Sequence, residues 1–294
     1  MADERGFAVV TGASTGIGRA TALDLAADGF DVFAGVRRKA DGEALKEAAE
    51  GGLTPVTIDV TKPATISRAK GAIGRKVGGD GLAALVNNAG VAIAGPLEFM
   101  PIDDFRRQIE VNLTGHLAVT QALLAQLRKA RGRIVNVTSI GGLVSYPFNG
   151  PYHASKFGLE ALSDSLRVEL QPWGIDVIAI EPGTVATEIW DRGLDKAAKI
   201  RDGLPSEGTK LYGPALEAMF KLMDNTGSGG LHPDKAAKVI RKAIVADKPK
   251  TRYLVGRDAK VALRMNRLLS DRTWDRIVTR ISRVPKRDSA LEKN

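Results

Sequence analysis

The 294-residue chain contains no cysteine and only 3 histidines. Without thiols it can form no disulfide, no thiolate nucleophile and no cysteine-held metal centre, and His116 and His153 read as ordinary helix residues, so no metal is expected. Absent cysteine also suits a reducing compartment. Long hydrophobic runs are missing as well: no stretch of eighteen or more apolar residues is present to span a bilayer. The first apolar run begins at Phe7, which leaves no room for a signal peptide and makes the cytoplasm the expected location.

What is present is enough apolar side chain, 44% of the residues, to bury one large core in one main domain. Residues 7–10 form a short apolar run. Thr11, Gly12, Ala13, Ser14, Thr15, Gly16, Ile17 and Gly18 follow, and then residues 19–26, whose apolar positions recur at helical spacing. This reads as strand, glycine turn and helix. Gly12 permits the tight turn, Gly16 lets backbone approach a pyrophosphate, and Gly18 lets the helix pack closely on the strand with its N-terminus facing phosphates.

Further apolar runs at 31–36, 54–60, 82–86, 133–137 and 176–180 alternate with helical stretches. Strands alternating with helices imply a doubly wound parallel sheet in an α/β/α sandwich, with ligands bound beyond the carboxyl ends of the strands. Gly12, Arg37, Asp59, Asn87, Ser139 and Pro182 all fall at such ends.

Tyr152 and Lys156 are four residues apart, one turn along the same face if 152–170 is helical, and Ser139 lies in the preceding segment. A nearby ammonium stabilises a phenolate and lowers the phenol's pKa, which makes tyrosine usable for proton transfer at an alcohol or ketone while the serine hydroxyl positions the oxygen. The spacing acquires meaning only with a cofactor site around it.

Taken in order, these motifs make the chain resemble the short-chain dehydrogenase/reductase family over residues 5 to about 256. The glycine motif at 11–18 matches, Asp59-Val60 resembles the family's adenine-contacting pair, and Asn87-Asn88-Ala89-Gly90 is similar to its signature after the fourth strand. Pro182-Gly183 with Val185 and Thr187 matches its nicotinamide-side motif. The resemblance implies a Rossmann fold, catalytic Asn112, Ser139, Tyr152 and Lys156, and a dinucleotide held by the glycine motif, these later motifs, Tyr152 and Lys156. It also implies that Lys156 holds ribose hydroxyls, that Asn112 holds a water linking Lys156 to solvent, and that helices near Asn112 and Tyr152 form a homo-oligomer. A non-catalytic dinucleotide sensor or scaffold is the reading of another class.

The second strand ends Val36-Arg37-Arg38 with no acid to bind adenosine ribose hydroxyls. Arg37 offers a charged fork suited to a 2′-phosphate, so NADP(H) is the preferred cofactor and NAD(H) the alternative.

Residues 184–232 form a long segment after the nicotinamide-side motif, rich in Trp190, Leu194, Leu204, Leu211, Tyr212, Met219, Phe220, Leu222 and Met223, and such insertions form lids. An apolar lid favours a hydrophobic alcohol, ketone or aldehyde. Met219, Phe220, Leu222 and Met223 can equally be the buried face of a lid helix. The sequence around Tyr152 and residues 181–183 resembles retinol and hydroxysteroid dehydrogenases more than acyl-carrier reductases; a 3-oxoacyl thioester reductase is the alternative.

Charge is uneven. Residues 232–294 hold 18 Lys+Arg against 7 Asp+Glu, and residues 1–231 hold 25 against 27. Val261, Met265 and Leu268, then Trp274, Ile277, Val278 and Ile281, form two apolar stripes broken near Ser270-Asp271. The chain thus divides into a domain at 1–258 and a basic amphipathic helical extension at 259–294. Its stripes can pack on the domain or a sister subunit, lie on an anionic membrane, or meet an acidic partner. No nucleic-acid recognition fold accompanies the charge.

Overall fold

A computed structural model describes residues 5–282 and 284, with the backbone alone described over 222–228. Seven strands run parallel: β1 (Phe7–Thr11), β2 (Asp31–Val36), β3 (Leu53–Thr57), β4 (Ala84–Asn87), β5 (Arg133–Val137), β6 (Asp176–Pro182) and β7 (Arg252–Val255), in the order 3-2-1-4-5-6-7. These runs are apolar on both faces because helices cover both sides of the sheet. The helices are α1 (Gly16–Ala27), α2 (Lys39–Glu47), α3 (Pro63–Val77), α4 (Ile102–Ile109), α5 (Gly115–Ala130), α6 (Gly150–Glu169), α7 (Ile189–Asp202), α8 (Ser206–Ser228), α9 (Pro233–Val245), α10 (Arg257–Leu268) and α11 (Asp271–Ile281).

Two cores result. On one face Leu25, Leu45 and Ile240 of α1, α2 and α9 pack against Val10, Ala34 and Ile180. On the other, Ile73, Leu123, Leu127 and Leu166 of α3, α5 and α6 pack against Val9, Leu85 and Ile134. The chain steps outward from β1 to β3, then returns to lay β4 beside β1, and that reversal opens the crevice in which such sheets bind ligands.

Four strands differ from their sequence limits, β1 running on to Thr11, which pairs with Gly35 of β2. β3 stops at Thr57 because its partner β2 ends at Val36, and the chain turns away through Asp59. β4 begins at Ala84, where pairing with Ala8 of β1 starts, and β6 continues to Pro182 because β7 pairs with it.

The expected lid segment folds into α7 and α8. Their apolar residues Ala197, Ala215, Leu216 and Met219 bury one another together with Ala94 and Phe148. Met219 is thus an inward-facing helix residue; the side chains of Leu222 and Met223 lie outside the described residues. Phe148 sits at φ 66, a conformation a bulky residue rarely takes, and its ring meets Tyr212 edge-on.

The two C-terminal helices break where the stripes break, with Ser270 between them. Of the readings left open for the stripes, packing on the domain does not hold for the stripe on α10. Ala259 and Leu263 face inward on α10, whereas Val261 is 55% exposed, Met265 37% and Leu268 84%. On α11, Val278 is buried and the Trp274 ring lies 6.1 Å from that of Tyr146. Residues 283 and 285–294 lie outside the described residues.

Candidate active site

The glycine turn is built by close approach. Gly12 has φ 64, and a Cβ there would meet the Ala89 backbone at 2.8 Å; Gly16 has φ 55 and faces Thr187 at 2.9 Å. A Cβ on Gly18 would lie 2.3 Å from both the Gly12 carbonyl and the Asn88 amide. Ser14, Thr15 and Ile17 fill the turn between them. Only glycine fits these places, and the turn delivers the N-terminus of α1 to the crevice.

Asn88 binds the turn from the neighbouring strand: its amide donates to the Thr11 and Gly12 carbonyls at 3.0 and 3.2 Å. The Thr11 hydroxyl accepts from the Asn88 and Ala89 backbone at 2.9 and 3.1 Å, a brace that the motif pattern does not disclose. Asn87 spans the next two elements, donating to Thr120 and Asn136 at 2.9 Å each. Buried His116 donates from Nε2 to the Ala89 carbonyl at 2.6 Å. Burial, aided by the Lys156 charge, lowers its pKa to about 3, so it is a neutral brace for residues 88–90.

On the adenosine side, Asp59 accepts from the Thr61 hydroxyl and backbone at 2.7 and 3.1 Å beside Val60. Burial acts to raise its pKa, but these bonds with the Lys62 and Arg37 charges outweigh it and hold the carboxyl below its usual range. Arg38 is committed to Asp41 through two bonds at 2.6 and 2.9 Å. Exposed Arg37, at the end of β2, makes no hydrogen bond or ion pair with the described residues.

Ser139, Tyr152 and Lys156 converge beyond β5. The Ser139 hydroxyl accepts from Gly141 N at 3.0 Å and reaches the Pro182 carbonyl at 3.5 Å. His153, next to Tyr152, clamps the same turn: its Nδ1 donates to the Gly141 carbonyl at 2.8 Å and its Nε2 accepts from Tyr146 N at 3.0 Å. Lys156 Nζ lies 5.8 Å from the Tyr152 ring centre and donates to the Val137 carbonyl at 2.8 Å.

The titration order differs from the one expected of the spacing alone. Burial raises the Tyr152 phenol above its ordinary pKa despite the opposing Ser139 hydroxyl, and burial lowers Lys156 to about 8 against the pull of Glu160. Desolvation of both groups dominates here because the ammonium is turned to the Val137 carbonyl rather than to the phenol oxygen. Asn112, in a π-helical turn between α4 and α5, is likewise committed: its amide donates to the Val91 carbonyl at 3.0 Å and Ser155 Oγ at 3.1 Å, and its oxygen accepts from Val91 N at 2.9 Å.

The nicotinamide-side segment is held from a distance. Asp258 of α10 accepts from Thr184 N at 2.7 Å and lies against Gly183. Val185 receives the Trp190 indole N–H at 2.8 Å, and the Thr187 hydroxyl reaches the same carbonyl at 3.4 Å. Nothing in local sequence marks Asp258, which lies 74 residues from its partner. No group of three or more candidate metal ligands occurs among the described residues.

A doubly wound sheet with a glycine cradle at its switch point and a serine, tyrosine and lysine gathered beyond β5 defines an NAD(P)-dependent oxidoreductase acting on CH–OH groups. The chain belongs to the short-chain dehydrogenase family, whose model matches residues 6–197. An NADPH-dependent 3-dehydrocapnine reductase of Ornithobacterium rhinotracheale is 36% identical over 276 residues, covering 92% of this chain and 95% of that one. Retinol dehydrogenase 5 of Mus musculus is 37% identical over 279 residues, covering 93% and 87%. A solved short-chain dehydrogenase from Streptomyces avermitilis superposes with a TM-score of 0.75 at 30% identity, covering 96% and 98%.

Proposed function

We propose that this enzyme transfers hydride between NADPH and a hydrophobic secondary alcohol/ketone or aldehyde of lipid, retinoid or steroid type. The observation that carries the reading is the meeting of Ser139, Tyr152 and Lys156 next to the glycine cradle. A bound nicotinamide supplies the hydride. In the reductive direction Tyr152 gives its proton to the carbonyl oxygen, Ser139 holds that oxygen, and Lys156 is the positive charge that steadies the phenolate left behind.

Lys156, Tyr152, Asn88 to Gly90 and residues 182–187 would hold the nicotinamide half, and residues 12–18, Arg37, Asp59 and Val60 the adenosine half. The reading of NADPH as preferred rests on Arg37, which makes no hydrogen bond or ion pair with the described residues, while Arg38 is tied to Asp41. The name of the Ornithobacterium relative, NADPH-dependent, supports this.

Apolar Trp190, Leu194 and Tyr212 on the lid, and the retinol dehydrogenases among the relatives, support a lipophilic substrate over a 3-oxoacyl thioester. A screen with NADPH against steroid, retinoid, long-chain aldehyde and 3-oxoacyl substrates tests it; turnover confined to thioesters rejects it. A purely sensing or scaffolding role would leave every member of that screen unconverted.

Two partners follow. Phe157 and Val168 stand 43% and 63% exposed on α6, which supports a homo-oligomer built on that helix. The outward stripe of Val261, Met265 and Leu268, set among Lys260, Arg264 and Arg267, supports peripheral contact with an anionic lipid surface. No helix among the described residues is long and apolar enough to cross a membrane.

A further inference from the structure

Directly behind the catalytic groups lie two buried carboxylates with no place in the mechanism above. Glu160 stands one turn beyond Lys156 on α6 and is 5% exposed; Glu181 immediately precedes Pro182 on β6 and is 1% exposed. Both approach the same nitrogen, Arg252 Nε, at 3.2 Å. That nitrogen carries one hydrogen, and its bond goes to Glu160 Oε2. Among the described residues neither Glu181 Oε1 nor Glu160 Oε1 has a hydrogen-bond partner, and both atoms are buried.

The remaining charges do not resolve the shortage. Arg252 Nη2 donates to Asp164 at 2.7 Å, which also takes Arg167 at 2.8 Å. The Thr138 hydroxyl, close to Glu160, donates to the Ile180 carbonyl at 2.8 Å. Lys156 and Asp164 face the pair from α6, Arg252 from β7 and Arg267 from α10, while Arg167 is paired with Asp164. Two buried carboxylates drawn to the same guanidinium nitrogen cannot both remain ionised without penalty, and a single proton between them relieves it. Consistent with that, burial first and the neighbouring Glu160 second raise Glu181 to about 7.

The pair is coupled to the reacting groups through short routes. The turn after Ser139 packs onto α6 at this place, since a Cβ on Gly142 would sit 2.9 Å from the Lys156 carbonyl and 3.1 Å from Glu160 Cγ. Residues four apart on a helix face one another, so the carboxylate of Glu160 is the anion nearest along α6 to an ammonium whose burial favours its neutral form. Tyr152 lies a further turn away, so Lys156 feels Glu160 before the phenol does.

We propose that Glu160 is a positioning residue whose carboxylate, held by Arg252 and sharing one proton with Glu181, keeps Lys156 charged in its buried site. The inference rests on the reading of Lys156 as the charge that serves Tyr152. It gives the enzyme an internal buffer: the charge presented to Lys156 changes as the pair takes up or releases its proton.

The test is a side-chain NMR titration of the full chain labelled at lysine, with the Lys156 signal assigned by its loss in Lys156→Arg. In Glu160→Gln the Lys156 midpoint should fall by roughly one pH unit, the size expected for losing a close opposite charge. Glu160→Asp, which keeps the charge, should restore most of that fall. Glu181→Gln should remove a smaller inflection near pH 7 from the Lys156 curve. A midpoint that Glu160→Gln leaves in place, or an inflection that survives Glu181→Gln, overturns the proposal. Reductase turnover is assayed on the same samples. Its absence from the unsubstituted chain would count against the assigned function, while the titration would still decide the role of Glu160.

Discussion

Lys156 holds its ammonium 5.8 Å from the centre of the Tyr152 ring yet gives its hydrogen bond to the Val137 carbonyl. The two groups share a face of α6, as the four-residue spacing requires, but burial acts on each before either acts on the other. The phenol is driven up and the amine down. In the proposed mechanism proton transfer by Tyr152 would depend on whatever keeps Lys156 charged, which would give the surrounding carboxylates more weight than the motif alone assigns them.

His116 sets an acid limit on stability. Its folded pKa of about 3 lies below its ordinary value, so between about pH 3 and 6.5 the unfolded chain binds a proton that the folded chain refuses. Stability must fall as pH drops through that window, by at most about 1.4 kcal/mol per unit from this group. Urea denaturation at stepped pH should show a shallower acid slope in His116→Gln than in the unsubstituted chain; equal slopes would remove His116 from the account.

Gly18 is the least replaceable residue of the glycine turn, because a methyl there overlaps the Gly12 carbonyl and the Asn88 amide. Overpacking of this kind typically costs about 1–3 kcal/mol. Gly18→Ala should lower the denaturation midpoint and also weaken NADPH binding measured by fluorescence, since the displaced groups are those that shape the cradle. A variant with undiminished cofactor affinity would contradict the close packing.

The proposed preference for NADPH makes Arg37 the residue to change. Charge-assisted bonds to a phosphate are worth about 1.5–3 kcal/mol, so Arg37→Glu should raise the KM for NADPH roughly ten- to hundredfold. The KM for NADH should change far less. Equal effects on both cofactors would defeat the NADPH assignment.

The outward stripe on α10 predicts lipid binding that depends on both its apolar and its basic residues. The full chain should float with vesicles containing anionic phospholipid, and Val261→Glu with Leu268→Glu should abolish flotation without loss of reductase activity. Added salt should weaken it, since the attraction is screened beyond about 10 Å at 0.1 M. Flotation unaffected by the double substitution would place the contact elsewhere.

Sequence periodicity made the sheet legible because each strand is short and apolar, and a residue of distinct chemistry follows it, as Gly12 does after β1, Arg37 after β2 and Ser139 beyond β5. The spacing of Tyr152 and Lys156 was legible because it is local to one helix. What escaped was set by contacts between distant segments. Asp258 reaches Thr184 from the start of α10, Arg252 brings Glu160 and Glu181 to one nitrogen, and His153 is marked as a clamp only once the 139–142 turn folds back on α6. The stripe on α10 was visible as a pattern, but periodicity cannot tell which of two apolar lines packs. Ala259 and Leu263 turned inward, the small Ala259 letting the helix approach the domain, and Val261 and Leu268 were left outside.

Replacing Tyr152 with phenylalanine tests the central claim most directly, because the change removes one hydroxyl and keeps the ring. With a lipophilic ketone or aldehyde that the unsubstituted enzyme reduces, kcat should fall at least about a hundredfold, the usual contribution of a positioned acid, while NADPH affinity stays within a few-fold. Reduction at an undiminished rate, with cofactor bound as before, would contradict the account.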